Sequence, residues 1–164
     1  MHFEDAKNIM AGLVEVVQDG SGQFKTIQKA IEETDHGIIL IHPGIYNESL
    51  SIDARYHQSG PLVLMKSKES GDVTISGDTN ISASHGPSNL YVEMHGLTFN
   101  SVVSIADNYG FVLAFNCGFV NLRLNNATVD LEDCTIDRKI SPSKYHIGIF
   151  ADDDANKLGL TQLT

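Results

Sequence analysis

Three segments in the second half of the chain look alike and recur at nearly constant spacing. They cover residues 96–100, 117–121 and 134–137. Phe99 and Phe119 are 20 positions apart, and Phe119 and Ile136 are 17 positions apart. A repeat of this size, with one short apolar strand and one polar corner in each copy, is typical of a solenoid in which equivalent residues stack. This repeat constrains the fold more than any other feature of the sequence.

Most of the remaining chain also consists of short apolar segments interrupted by turn residues. No helical period occurs between Ile38 and Phe150. We predict strands at residues 13–17, 38–41, 50–52, 62–65, 73–75, 90–94, 97–99, 102–105, 111–115, 122–124, 127–131 and 134–136. The pattern favours a parallel β-helix, and the alternative is an antiparallel sandwich with hairpins at similar spacing. Turns of the Asn-Gly or Asp-Gly type, which are typical of such hairpins, are scarce.

An amphipathic helix is predicted at residues 25–34. Ile27, Ala30 and Ile31 follow one another at the spacing that places them on one helix face. Gly37 is expected to follow the helix as its left-handed C′ residue. We expect the helix to cover the open end of the first coil, where strand edges would otherwise be exposed.

Length and charge limit the classes of protein to which the chain can belong. Its 164 residues predict one β domain at residues 13–150, with an arm or short helix at residues 1–12 and a tail, cap or assembly arm at residues 151–164. The chain has 11 basic and 21 acidic side chains and a net charge of −10, which argues against binding to nucleic acid or to a membrane surface. No apolar run is long enough for a membrane span and no signal peptide is recognisable, so we expect synthesis in the cytoplasm.

Several acidic residues are candidates for a metal site or an acid–base pair. Asp130, Glu132, Asp133 and Asp137 fall within one predicted coil, where stacked carboxylates could bind Ca²⁺ or act in catalysis. We favour the simpler interpretation that they are outward, solvated positions. Residues 152–154 resemble the start of an EF-hand loop, but the pattern fails at later positions, and the seven histidines show no zinc spacing. The sequence therefore predicts neither a metal site nor a cofactor.

The two cysteines, Cys117 and Cys134, occupy equivalent positions in two of the repeated segments. They could form a stacked disulfide, or they could be buried thiols in a ladder with aliphatic residues. We favour buried thiols, because two cysteines without a signal peptide do not indicate a disulfide framework.

Four stretches of sequence occur in an order that is found in a known family. They are Val16-Val-Gln-Asp-Gly-Ser-Gly-Gln-Phe-Lys-Thr-Ile-Gln-Lys-Ala-Ile31, Ile39-Leu-Ile-His-Pro-Gly-Ile-Tyr-Asn-Glu48, Val73-Thr-Ile-Ser-Gly77 and Gly96-Leu-Thr-Phe99. The first two closely resemble the opening of pectin methylesterases, and the whole series is similar to pectin-lyase-like proteins. The resemblance covers residues 13–137. It implies an all-β fold, a short single-stranded right-handed parallel β-helix with the helix near residues 25–34 as its N-terminal cap.

The catalytic residues of pectin methylesterases are not found at the matching positions. The resemblance places Ser101 and Arg123 where the family has its oxyanion glutamines, and Leu124 where it has the acid–base aspartate. Ser141 falls where the nucleophilic aspartate belongs. Loss of one oxyanion donor alone lowers the rate about 10²–10³-fold. We therefore predict no catalytic residues and no esterase activity.

A short β-helix without a catalytic site resembles modules of bacteriophage virions, such as capsid decorations, knobs and tail spikes. This resemblance implies a non-enzymatic structural or attachment module that forms a homotrimer and contacts a capsid or tail protein. The residues expected to mediate assembly are apolar and lie near the chain ends: Phe3, Ile9, Met10, Ile147, Ile149, Phe150, Leu158, Leu160 and Leu163.

Two other functions are compatible with the sequence. One is a carbohydrate-binding or carbohydrate-cleaving module in which exposed tyrosines stack on a surface glycan, although the chain has no tryptophan. The tyrosines expected to be exposed are Tyr46, Tyr56, Tyr91, Tyr109 and Tyr145. The other is a degenerate relative of pectin methylesterases with residual esterase activity.

Overall fold

The structure is a computed structural model, and it describes residues 12–53, 56–57, 59–82, 91–106, 111–125, 127–138 and 145–149. Within these ranges the elements in chain order are β1 (Leu13–Val16), α1 (Ile27–Glu33), β2 (Gly37–Ile41), β3 (Gly44–Tyr46), β4 (Leu50–Asp53), β5 (Leu62–Lys66), β6 (Val73–Ile75), β7 (Thr79–Ser82), β8 (Tyr91–His95), β9 (Leu97–Ala106), β10 (Phe111–Phe115), β11 (Gly118–Asn125), β12 (Ala127–Glu132), β13 (Thr135–Arg138) and β14 (Tyr145–Ile149).

The described strands form two sheets, and every strand pairing in them is parallel. Sheet A has the order β1-β2-β5-β8-β10-β12-β14. In sheet B the strand order is β13-β11-β9-β6-β3. Strand β4 also pairs with β7, and β7 pairs with the second half of β9. The all-β prediction is confirmed, and the parallel pairings rule out the antiparallel sandwich.

The predicted repeat is visible in the register of sheet B. Phe119 pairs with Phe99 on one side and with Ile136 on the other, so the residues that the spacing aligned are direct neighbours. The Phe99 and Phe119 rings are stacked, with centroids 5.3 Å apart and planes 4° apart. Stacking of identical side chains on successive passes is therefore the physical basis of the sequence repeat.

The corner that leads from sheet A to sheet B is built in the same way three times. Gly96, Asn116 and Asp133 have φ values of 70°, 56° and 53°, which is the left-handed region. Glycine enters that region without strain, and Asn and Asp tolerate it better than other residues. Each of these residues directly follows a strand of sheet A, so one left-handed residue turns the chain each time.

One continuous core lies between the sheets. Along sheet A the inward side chains form rows of direct ladder neighbours, of which the longest is Val14, Ile39, Leu64, Met94, Ala114 and Leu131. From Ile39 onward each member of this row is at most 1% exposed. Burial of a large aliphatic side chain contributes about 1.5–3 kcal/mol, so such rows are the main source of stability.

Helix α1 lies at the β1 end of the sheets and contacts β1, β2 and β4. Its buried residues are Ile27, Ala30 and Ile31, as the helical pattern predicted. Thr26 is the N-cap, and its side chain accepts a hydrogen bond from the Lys29 backbone N–H.

The prediction that Gly37 is the C′ residue of the helix is wrong. The helix ends at Glu33, and the extended Thr34 is its C-cap. Gly37 instead begins β2 with a φ of 115°, and a Cβ atom at this position would collide with the backbone of Gly12. A close backbone approach, rather than helix termination, therefore accounts for the glycine.

Several strand boundaries differ from prediction for identifiable reasons. The strands expected at residues 97–99 and 102–105 are one strand, β9, whose pairing with β11 contains a register shift. Strand β3 was missed because Pro43-Gly44 indicates a turn, and β7 was missed because Ile81 is its only apolar residue. In parallel sheets, polar residues such as Asn80 can occupy the outward positions of a strand.

Candidate functional site

The outer face of sheet A carries apolar side chains that lie outside the core. We call it the outer A face, and its apolar members are Ile38, Leu40, Val63, Met65, Phe111, Leu113 and Phe115. Leu113 is buried and the others are partly buried. Parallel sheets are usually covered on both faces, and their strands are then apolar on both sides.

A hydrogen-bonded group of polar side chains on β8 divides this surface, since β8 lies between β5 and β10. The Tyr91 hydroxyl donates to Glu93 Oε1 at 2.9 Å, and His95 Nε2 lies 3.0 Å from Glu93 Oε2. Tyr91 stacks on Phe111 and His95 stacks on Phe115, with ring centroids 6.2 Å and 4.8 Å apart. Burial, then the hydrogen bond and negative charge of Glu93, raise the pKa of Tyr91 above its usual value. Because both oxygens of Glu93 have partners, this group is suited to fixing side chains in place rather than to acting as a free base.

Asp130 is the main departure from the predicted surface. It was expected to be a solvated outward residue, but only 8% of it is exposed, so that prediction is wrong. It lies on β12 between Leu113 of β10 and Gly148 of β14, and an apolar neighbour on one side accounts for its burial. Among the described residues, no side-chain hydrogen bond reaches Asp130.

The other predicted carboxylates do not gather around Asp130 into a cation site. Glu132 is partly buried, while Asp133 and Asp137 are exposed. Within the described residues, no group of three or more His, Cys, Asp or Glu side chains is arranged to hold a metal ion.

Cys117 and Cys134 are both buried free thiols, which confirms the favoured interpretation. They are neighbours across the sheet, since the Cys117 backbone N–H points to Cys134 Sγ at 3.4 Å. The hydrogen bond with Cys134, followed by burial, raises the pKa of the Cys117 thiol well above its usual value. A thiol of this kind is a poor nucleophile, because the thiolate is the reactive form.

The residues at the family's catalytic positions make contacts of other kinds. The Ser101 hydroxyl donates to the Asp78 carboxylate, and Asp78 also accepts the Val102 N–H at 3.2 Å. Arg123 is exposed, whereas Leu124 is fully buried and pairs with Ile105 in the core. Ser141 lies outside the described residues.

The tyrosines proposed for sugar stacking differ sharply in exposure. Tyr46 is buried, and its hydroxyl donates to the His42 carbonyl oxygen at 2.7 Å, so the prediction that it is exposed is wrong. Tyr91 is packed as described above. Tyr56 is 66% exposed and borders a cavity between α1 and β4. Tyr109 and the side chain of Tyr145 lie outside the described part of the chain.

Most of the predicted assembly residues lie outside the residues that the structure describes. Only Ile147 and Ile149 lie in a described element, β14, where their backbones pair with Val129 and Leu131. The others lie outside the described residues: Phe3, Ile9, Met10, Phe150, Leu158, Leu160 and Leu163.

Comparison of the chain with protein-family models, with curated proteins and with solved structures found no match. In the described residues, no helix has both the length and the apolar character needed to cross a membrane.

Proposed function

We propose that the chain is a short right-handed parallel β-helix of the pectin-lyase-like type that serves as a non-enzymatic structural or attachment module. The observation that carries this proposal is the alternation of the chain between two all-parallel sheets around one core. Each pass adds a strand to each sheet, and equivalent residues such as Phe99 and Phe119 stack. Such an arrangement is rigid and presents long, regular outer faces, which suits it to assembly.

The absence of esterase chemistry is proposed from what fills the family's catalytic positions. An acid–base residue must reach a proton on the substrate. At the position of the family's acid–base aspartate, the Leu124 side chain points into the core and is 0% exposed. At the position of an oxyanion glutamine, the Ser101 hydroxyl donates its hydrogen bond to the Asp78 carboxylate.

Self-assembly, as a homotrimer, is proposed from the outer A face. Its apolar side chains lie outside the core and are mostly only partly buried within one chain, and apolar surface of this kind commonly marks an interface. A second copy supplies the same apolar rows, and homo-oligomers commonly bury such surfaces against one another. In sequence, the apolar residues near the two chain ends precede β1 or lie in and after β14, and these are the edge strands of the sheet among the described residues.

We further propose a place for this oligomer in a virion, in contact with a capsid or tail protein. The resemblance to short phage β-helices supports it, and so does the acidic composition, which does not favour nucleic acid as a partner. Genes for capsid, portal or tail proteins next to the gene for this chain are the expected context, and neighbouring genes for pectin breakdown would contradict it.

Light scattering of the purified chain tests the assembly. We expect a particle of three 17.9 kDa chains. Phe115→Lys places a charge in the outer A face and should yield monomers. The control Ile45→Lys changes a residue that is 63% exposed on β3, and it should leave the trimer intact. A monomeric wild-type chain at about 100 μM, or equal behaviour of the two variants, would contradict the proposed surface. Release of methanol from pectin by the wild-type chain would contradict the non-enzymatic role.

A further inference from the structure

A cavity of about 460 Å³ lies between helix α1 and strand β4, away from both the outer A face and the family's catalytic positions. Its volume is within the range of about 300–1,000 Å³ that is usual for small-molecule sites. The residues that line it are Gln28, Ile31, Glu32, Ser51, Asp53, Tyr56 and His57.

The frame of this cavity is fixed by hydrogen bonds between the helix and the strand. The Gln28 side-chain Oε1 accepts the Ser51 backbone N–H at 2.8 Å, and its Nε2 donates to the Ser51 carbonyl oxygen at 3.3 Å. The same Nε2 lies 3.4 Å from Glu32 Oε1. Ile31, which is 1% exposed, forms the apolar floor. The Gln28 amide therefore holds the two walls together and orients the Glu32 carboxylate.

The acidic side chains that line the cavity give it a negative charge. Glu32 and Asp53 are carboxylates, and none of the described lining residues is Lys or Arg. His57 is 3% exposed, and its Nδ1 lies 3.0 Å from the Asp35 carbonyl oxygen. A carbonyl oxygen can only accept, so Nδ1 is the donor of this hydrogen bond. The charge of the described lining therefore favours a cationic ligand.

Tyr56 supplies an aromatic surface at the edge of the same cavity. It is 66% exposed, although a tyrosine ring is a large apolar surface that proteins usually bury. A cation positioned over such a ring is attracted by its quadrupole. Carboxylates and an aromatic ring around one cavity form the combination by which proteins hold organic ammonium groups.

We propose that this cavity binds an alkylammonium group. The ammonium lies over the Tyr56 ring and donates hydrogen bonds to the Glu32 carboxylate, while its alkyl chain packs on Ile31. The chain itself already places one ammonium group near Glu32, since Lys29 Nζ lies 3.9 Å from Glu32 Oε2. That lysine is closer to Glu33, at 3.0 Å, so Glu32 retains capacity for a second donor.

The probe that tests the site is 1,5-diaminopentane, titrated by calorimetry and by NMR into the full chain. We expect saturable binding with a dissociation constant of about 1 mM or tighter. Tyr56→Ala and Glu32→Gln should each weaken it by about five- to tenfold. Lys29→Ala, which removes the competing ammonium, should strengthen binding by about twofold, an effect that a purely structural role of these residues would not produce.

Matched controls separate the site from general effects of charge and exposure. Asp137→Asn removes the same charge as Glu32→Gln but on β13, and Ile45→Ala removes the other large apolar side chain that is exposed in the described part of the chain. Both should bind like the wild type. 1,5-Pentanediol and glutarate, which lack the positive charge, should not bind at this concentration.

Two sources of the ammonium group are distinguished by further ligands. A peptide containing one lysine and its acetyl-lysine counterpart test a protein partner, and the free diamine tests a small molecule. Tighter binding of the lysine peptide than of the diamine would assign the site to a lysine side chain, and the reverse would assign it to a free amine.

Failure of the diamine and of the lysine peptide to bind, or equal loss of binding in the Asp137 and Glu32 variants, would overturn the proposal. Binding of a neutral trisaccharide without any amine binding would also overturn it. None of these results depends on oligomeric state, so the outcome is independent of the proposed assembly function.

Discussion

Glu48 is expected to be the most important polar residue for the stability of the helix-covered end. Its Oε2 accepts the backbone N–H of Ile27 at 3.0 Å, and its Oε1 accepts that of Gln28 at 2.7 Å. These are two of the helix N–H groups that have no partner within the helix. A half-buried carboxylate from the connection between β3 and β4 therefore fixes the start of α1.

The expected cost of Glu48→Ala follows from these two bonds. A hydrogen bond to a charged group contributes about 1.5–3 kcal/mol, and water can replace part of it at a half-buried site. We therefore expect the free energy of unfolding to fall by about 2–4 kcal/mol. For a chain of this size, 1 kcal/mol corresponds to about 2–4 °C in Tm, so Tm should fall by about 5–15 °C.

Urea unfolding followed by circular dichroism measures this change. Glu48→Gln, which keeps one acceptor oxygen but loses the charge, should lie between Glu48→Ala and the wild type. Thr26→Ala, which loses the single bond to Lys29, should cost about 1 kcal/mol. Glu33→Ala removes an exposed ion pair with Lys29 and should leave the free energy of unfolding almost unchanged. The reasoning is refuted if Glu48→Ala costs no more than Glu33→Ala.

Three further predictions concern buried groups. Burial, and then the carboxylate of Glu48, raise the pKa of Tyr46 from 10.0 to about 12. The protonated Tyr46 therefore stabilises the fold fully below pH 10, and this contribution is lost as the pH rises from 10 to 12. Tyr46→Phe should reduce the loss of unfolding free energy over that interval by roughly 2–3 kcal/mol. Asp130→Val should raise the free energy of unfolding by about 1 kcal/mol or more, because it replaces a buried polar side chain by an apolar one. Asp137→Val, at an exposed position, should change it by less than about 0.5 kcal/mol. A loss of stability in Asp130→Val would show that the Asp130 side chain is well compensated. Ellman's reagent should leave Cys117 and Cys134 unmodified in the native chain and react with both after unfolding, and rapid native reaction would contradict their burial.

Stacked apolar residues were the part of the fold that the sequence could predict. Phe99, Phe119 and Ile136 align because each pass of a parallel solenoid repeats the same environment, and that repetition is written into the spacing. The helix was predicted for a similar reason, since Ile27 and Ile31 follow a single local period.

Features that depend on distant neighbours could not be predicted. The burial of Asp130 is set by residues on two other strands, and nothing near it in sequence indicates burial. The motif that ends in Glu48 was recognised, but its bonds to Ile27 and Gln28 span about 20 residues and have no local signal. The exposure of Tyr56 likewise depends on how α1 lies against β4.

The left-handed corners at Gly96, Asn116 and Asp133 have a consequence for engineering. Each turns the chain from sheet A at a fixed length, whereas the return connections differ, from one residue after β11 to eight residues at positions 83–90 after β7. The fold thus accepts different lengths on the return side. From β8 onward the corners on the other side are constant, whereas the earlier connection from β5 to β6 occupies positions 67–72. Peptide epitopes or small domains inserted between Ser82 and Tyr91 should be displayed without loss of strand pairing, and the same insertions at Asn116 should abolish folding.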